Sequence, residues 1–307
     1  MKANWARRSL AIPAALILDS LAGEDLARGA PAGAYRRFLG FAEEILWADT
    51  VYGGARFALV GALPPLLAGM AAQALLGDLG SEIVVGGACL GLQSMRERAL
   101  ESASALERAA ADEAGFPSDP APARAAIEAI ATSFAKDVCG PLFYLNAAGA
   151  KGLLAYRAAE AIGAGADASS PAKVRFGRFP GRVGAAFGWI PSQVGALAVC
   201  AAAKERTYTL YARARRDAMS HSSFNFGIME AAFATSLEVG LDSDDLDGEG
   251  QPAGHLGSQV APGPDEVRRA MALAERAAVL IAFWLMVADA GLWVLLRRRK
   301  RGGGRRR

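Results

Sequence analysis

Apolar residues in this chain run in long unbroken blocks. Phe57 to Leu76 is twenty residues without a charge, interrupted by Pro64 and Pro65. Val183 to Ala203 is twenty-one uncharged residues with Pro191 near the middle, and Ala277 to Leu296 is twenty residues whose one charge is Asp289. A helix rises about 1.5 Å per residue, so each block reaches the ~30 Å of a bilayer's hydrocarbon core. The pattern predicts three membrane-crossing helices. Ser81 to Leu92 is too short to cross alone and reads as a buried or interfacial piece. At the N-terminus Lys2, Arg7 and Arg8 precede an apolar run, as in a signal peptide. Asp19 follows closely, and no small-x-small cleavage site precedes Glu24 and Asp25, so an uncleaved first membrane helix is expected.

Between the blocks the pattern turns polar. Arg96 to Asp137 reads as a polar helix, the turn GFPSDPAP and a second helix, and Leu241 to Pro264 as a long loop rich in Gly, Pro and Asp. The Val183–Ala203 block carries Lys173, Arg175, Arg178 and Arg182 before it and Lys204, Arg206, Arg213, Arg215 and Arg216 after it. Basic flanks favour the cytoplasm. The expectation is therefore a helix broken at Gly188–Pro191 that returns to the side it came from. Ala277–Leu296 has basic flanks too.

Composition agrees with a membrane protein: 52% of residues are hydrophobic and the mean hydropathy is +0.19. The net charge of +3 comes from the tail, because RRRKRGGGRRR at 297–307 holds eight basic groups and leaves the body at −5 (3 − 8). Such a tail marks the cytoplasmic side of an anchor rather than a nucleic-acid site. The chain thus divides into a membrane domain, 1–296, and a basic tail, 297–307. Cys89, Cys139 and Cys200 lie in apolar stretches without paired spacing and read as buried thiols. With His221 and His255 as its only histidines, the chain has no histidine-rich metal cluster. GAGADA at 163–168 has the letters of a dinucleotide loop but follows a helical stretch, where a strand is needed, so it reads as a plain loop. There is no Walker A pattern. The acidic loop DSDDLDGEG places Leu246 where a calcium loop needs an oxygen and reads as solvated loop.

One stretch gathers chemistry. In RRDAMSHSSFNFGIMEAA, Arg215 to Ala232, the residues Arg213, Asp217 and His221 fall at i, i+4 and i+8, one face of a helix if the run stays helical. SSFN then supplies turn and cap residues, with Glu230 in the first turns of a second helix. Ser223 or Asn225 as its cap would leave free N–H groups for a phosphate or carboxylate.

The same stretch resembles the Arg-Asp-Ala-x-x-His…Asn-x-Gly-x-x-Glu-Ala signature of the CobD/CbiB family of adenosylcobinamide-phosphate synthases. Upstream, AAIEAIATSFAKDVCGPLFYLNAAGAKGLLAYRA is similar to that family's central block, with Glu128, Pro141 to Tyr144 and Ala155 to Ala158 in register. Arg175-Phe176-Gly177 and Ile190-Pro191 follow in order. LILDSLAGED and PDEVRRAMALAERAAVL resemble the family's two ends.

The resemblance implies an all-α, multi-pass protein of the cell inner membrane. It also implies ATP-dependent, magnesium-assisted joining of an aminopropanol or ethanolamine phosphate to a carboxylate of adenosylcobyric acid. Its partners would be membrane lipid, the corrinoid and the amino-alcohol phosphate, with no nucleic acid. By resemblance Asp217, His221 and Glu128 are catalytic candidates, with His221 or Asp217 as base. Arg157 and Arg216 would hold phosphates, Asn225 would contact substrate, and Glu128 and Glu230 would bind metal or orient the arginines.

The chain departs from the family where charge matters. The family has Glu-Asn and then Asp-Gly after its first glutamate; here Thr132-Ser133 and Lys136-Asp137 stand in those places. Positions 128, 132 and 136 would share one helical stripe, and Lys136 would sit where a cation belongs. The family's Asn-Thr-x-Asp after Ala158 becomes Glu160, Ala161 and Gly163. These losses keep open a second reading, an inactive homologue that binds a corrinoid or a partner protein.

Overall fold

The computed structural model describes residues 4–22, 30–112, 119–165, 173–203, 206–221, 223–242 and 255–303. The described chain is helical almost throughout. Its helices are α1 (Asn4–Ala22), α2 (Ala30–Leu46), α3 (Val51–Cys89), α4 (Leu92–Asp112) and α5 (Ala121–Ser133). A π-helical turn (Phe134–Cys139) joins α5 to α6 (Gly140–Gly165). Then come α7 (Val174–Ala202), α8 (Thr207–Asp217), a 3-10 turn (Ala218–Ser220), α9 (Phe224–Leu237) and α10 (Pro264–Gly303). The all-α membrane class read from the sequence is the class that forms.

Among the described residues three stretches are long and apolar enough to cross a membrane: Val51–Ala111, Val174–Ala202 and Pro264–Gly291. Each overlaps one of the three expected blocks, the first holding its block whole. Their outer faces carry exposed apolar rows at helical spacing, Leu59, Leu63, Leu67 and Met70 on α3 and Val279, Phe283 and Val287 on α10. The core lies on the other side of these helices, around α9. There Ile228, Met229 and Ala231 to Ala234 are fully buried between α5, α7 and α10. A helix apolar all round has no face for water, which is why α9 sits at the centre.

Small residues let α3 and α6 run closely side by side in opposite directions. Gly61 faces Ile162, Gly69 faces Lys151 and Leu154, and Gly86 faces Leu145. Each helix bends once, α3 at Gly77 (φ 69°) and α6 at Gly149 (φ 68°), a backbone region only glycine enters without strain. Glu82 on α3 faces Gly149, so the two bends lie at neighbouring levels and the pair stays in register. Ser81–Leu92 is accordingly not a separate piece: up to Cys89 it is the far arm of α3, with Ser81, Glu82, Gly86 and Gly87 buried.

Several expectations change. The N-terminal run forms helix α1, and its apolar stretch Leu10–Leu21 is shorter than the three candidate spans. It packs on the far arm of α3, Ala15 against Gly86 and Leu18 against Gly87. The break expected at Gly188–Pro191 is absent, since α7 runs unbroken from Val174 to Ala202. Pro191 has no N–H for the carbonyl of Phe187, four residues earlier, and the Tyr144 hydroxyl donates to that carbonyl at 3.0 Å instead. The second basic flank turns back in a hairpin: α8 folds along α7, its Tyr211 hydroxyl donating to Gln193 at 2.9 Å. The polar loop after α9 begins and ends as a small antiparallel ribbon, β1 (Gly240–Asp242) on β2 (His255–Gly257). The acidic loop between these strands and Ala166–Ala168 of the glycine-rich motif lie outside the described residues. All three cysteines are free thiols, Cys139 and Cys200 buried and Cys89 half-buried.

Candidate functional site

The signature stretch does not stay helical through His221. Helix α8 ends at Asp217, the 3-10 turn takes Ala218 to Ser220, and His221 is extended (φ −85°, ψ 142°). Arg213, Asp217 and His221 therefore do not line one helix face. The turn drops His221 onto the start of α9, where Gly227 lets its Cβ and ring pack against the helix. Serine 223 is the N-cap of α9, yet its side chain makes no capping bond, so the expected capped anion site is not formed that way. The Asn225 side chain is buried and donates to the Ala185 carbonyl of α7 at 2.7 Å.

At the centre stands a buried acid–histidine pair. His221 Nε2 lies 3.1 Å from Glu230 Oε2, with side-chain exposures of 6% and 11%. Glu230 thus serves His221, where an arginine or a metal ion had been expected as its partner. The Ser223 backbone N–H donates to Nδ1 at 3.0 Å, which leaves the ring proton on Nε2, pointing at Glu230. The Ser223 carbonyl is equally near Nδ1 and accepts from it when the ring is doubly protonated. Thr132 Oγ1 donates to the other carboxylate oxygen, Oε1, at 3.3 Å. The turn thus fixes the ring and α5 the carboxylate, in buried surroundings where their mutual attraction is strong.

The stripe 128, 132 and 136 is only half helical in the expected sense. The π turn starts at Phe134 and widens the backbone before Lys136. Thr132 reaches Glu230, while the Lys136 ammonium lies 4.3 Å from the centre of the Phe226 ring, next to Asn225 on α9. Glu128, half-buried, stays on α5. At the rim, Asp217 is half-buried and Arg216 is exposed.

Arg157 belongs to a second cluster. Its guanidinium lies 2.7 Å from Asp137 Oδ1 and also donates to the carbonyls of Lys136 (3.4 Å) and Cys89. Burial alone would lower its pKa; the Asp137 carboxylate, with Cys89 and Tyr156 beside it, reverses this and holds the guanidinium above its usual range. The Tyr156 hydroxyl donates to the same Lys136 carbonyl at 3.2 Å, and its ring stacks on Tyr144. Burial also raises the Glu160 carboxyl above its usual range, with Lys136 and then Arg157 pulling it back. Arg157, expected to hold a phosphate, has its guanidinium engaged by three protein oxygens. Thr132 and Lys136, which look like losses in the sequence, sit at the site.

Comparisons with known proteins can now be set against this geometry. Residues 118–274, half of the chain and every candidate from Glu128 to Glu230, match the family model described as CobD/Cbib protein. The chain is 29% identical to the "Cobalamin biosynthesis protein CobD" of Mycobacterium tuberculosis over 97% of its own length and 98% of the relative's. It is 34% identical to the protein of the same name from Rhizobium meliloti, over 40% of this chain and 39% of that one. For the Rhodobacter capsulatus protein of that name the figure is 31%, over 52% and 51%. No solved structure matches. A family match over half the chain, with the acid–histidine pair and its buried asparagine inside it, places this protein in the CobD/CbiB family.

Proposed function

We propose that this protein acts in cobalamin biosynthesis as an integral, multi-pass protein of the inner membrane. It would join an aminopropanol or ethanolamine phosphate to adenosylcobyric acid, forming adenosylcobinamide phosphate. The observation that carries the reading is the His221–Glu230 pair, assembled with Asn225 from the stretch that resembles the family signature. In this reading the terminal phosphoryl group of ATP passes to the corrinoid carboxylate and ADP leaves. The amine nitrogen then attacks the acyl carbon, and phosphate departs. The attacking nitrogen must lose a proton, and a coupled acid–histidine pair is suited to take it. Developing charge on the acyl oxygen needs donors held rigidly in place, which the anchored π turn and Asn225 favour. Arg216 and Asp217 at the rim remain candidates for guiding the anionic substrates, and Glu128 for orienting them.

Magnesium is a separate matter. Among the described residues no three His, Cys, Asp or Glu side chains gather where one metal ion would reach them all. Lys136 occupies the third place of the stripe. The donor set does not fit a magnesium ion caged by protein ligands, and this reading assigns the ion no protein site.

The test is direct. Detergent-purified protein given adenosylcobyric acid, either amino-alcohol phosphate, ATP and magnesium should form adenosylcobinamide phosphate with one ADP per amide. The interrupted stripe favours the second reading, a corrinoid-binding homologue without turnover. Tight binding of adenosylcobyric acid with no product from the full substrate set would establish that reading and overturn the first.

A further inference from the structure

Lysine 136 has the hallmarks of a placed charge. Its backbone is pinned, because the carbonyl accepts from both Tyr156 (3.2 Å) and Arg157 (3.4 Å). It lies in a π turn, a backbone form that recurs where a helix is bent to a functional purpose. Its ammonium is half-buried over Phe226, so part of its hydration is replaced by an aromatic face. Two other half-buried cations close an ion pair, Lys173 on Glu43 and Arg157 on Asp137. Among the described residues Lys136 has no carboxylate within 4.0 Å. Burial shifts the nearby Glu160 toward the neutral form, against the pull of the Lys136 and Arg157 charges. The Lys136 ammonium therefore keeps donors open over Phe226, on the helix that also carries Asn225 and Glu230.

We propose that Lys136 is a binding residue for a phosphoryl group, supplied by the amino-alcohol phosphate or by ATP. An ammonium suits this ligand as a compact point charge with three donors, none of which needs the planar match of a guanidinium. The chain would thus hold a phosphate with the residue that interrupts its carboxylate stripe. Arg157 would act as a positioning residue, through the Lys136 carbonyl. The proposal rests on the ligase reading for the identity of the phosphates, but not for the binding itself.

The experiment uses the full chain in detergent, its six lysines tagged by reductive methylation with 13C-formaldehyde. The Lys136 resonance is identified by its loss in Lys136→Arg. Inorganic phosphate, ethanolamine phosphate and ATP are titrated separately against sodium chloride of equal ionic strength. A saturable shift of the Lys136 signal with any of the three, absent with chloride, is expected. In turnover assays Lys136→Met should raise KM by about tenfold for the one substrate whose phosphoryl group it holds, the loss expected of one charge-assisted hydrogen bond. Lys136→Arg should recover part of it. A rise confined to ATP identifies the nucleotide as source, and one confined to the amino-alcohol phosphate identifies that substrate. An unmoved resonance with all three phosphates overturns the proposal, as do unchanged KM values in Lys136→Met. If wild-type protein shows no turnover, the ligase reading fails, and the titration with inorganic phosphate alone decides the lysine's role.

Discussion

Arg157 and His221 are both ionisable side chains sunk in a hydrophobic helical bundle, yet their surroundings differ in kind. The Arg157 guanidinium is closed off by Asp137 and by two backbone carbonyls, those of Cys89 at the end of α3 and Lys136 in the π turn. It ties three elements together. His221 meets a carboxylate on one ring nitrogen and the Ser223 backbone on the other, which sets a short line between Nε2 and Glu230. The first cluster binds a permanent cation to oxygens of other elements. The second sets an imidazole against a carboxylate. A buried charge that ties backbone together serves the fold; a buried charge with one titratable partner is suited to chemistry.

That contrast can be broken in order of expected effect. Glu230→Gln keeps the shape and the Thr132 contact but removes the acceptor for the His221 proton. Turnover should fall about a hundredfold, the lower end of acid–base assistance, with an unfolding midpoint near that of wild type. Unchanged turnover would make the pair structural, like the arginine cluster. Arg157→Met should act on the fold instead. A fully buried ion pair loses about 3–5 kcal/mol when one partner goes, and with both side chains about a quarter exposed we expect about 2 kcal/mol. Denaturant unfolding in detergent measures this. A KM that rises for a phosphorylated substrate without loss of stability would return Arg157 to the binding role its motif implied.

Two smaller changes sharpen the boundary of the site. A Cβ at Gly227 would overlap the His221 side chain, with the ring Cγ at 2.7 Å. Gly227→Ala should displace the ring and lower turnover about tenfold, less than the hundredfold that a 1 Å misplacement can cause. Activity equal to wild type would mean that the ring position does not matter. Asp217→Asn lies at the half-buried end of α8, and the carboxylate at His221 Nε2 belongs to Glu230. A loss of about threefold is expected, the scale of a partly exposed charge interaction. A hundredfold loss from this change alone would instead put Asp217 in the proton path.

Much of the fold was legible along the chain. The three apolar blocks fall in the three candidate spans because a predominantly apolar run of about twenty residues can satisfy its backbone in a bilayer only as helix. The candidates Glu128, Arg157, Arg216, Asp217, His221, Asn225 and Glu230 were named from the sequence by their order and residue type. Their partners were not. Reading His221 onto the α8 face failed because a 3-10 turn after Asp217 ends the 3.6-residue rhythm, and nothing local announces it. Reading a broken helix at Pro191 failed because the carbonyl it orphans found a donor in Tyr144, forty-three positions earlier in the chain than Phe187.

The amino-acid sequence by itself determined which residues must leave water and which carry charge, since hydropathy and residue type are local properties. It therefore settled the helical membrane class and the family. Tertiary structure decided which charge meets which. Thr132 reaches Glu230 across ninety-eight positions, Arg157 reaches Cys89 across sixty-eight, and Lys136 comes to rest on Phe226. Hydrogen bonds and ion pairs act over a few ångströms of space, and only packing brings such distant residues that close.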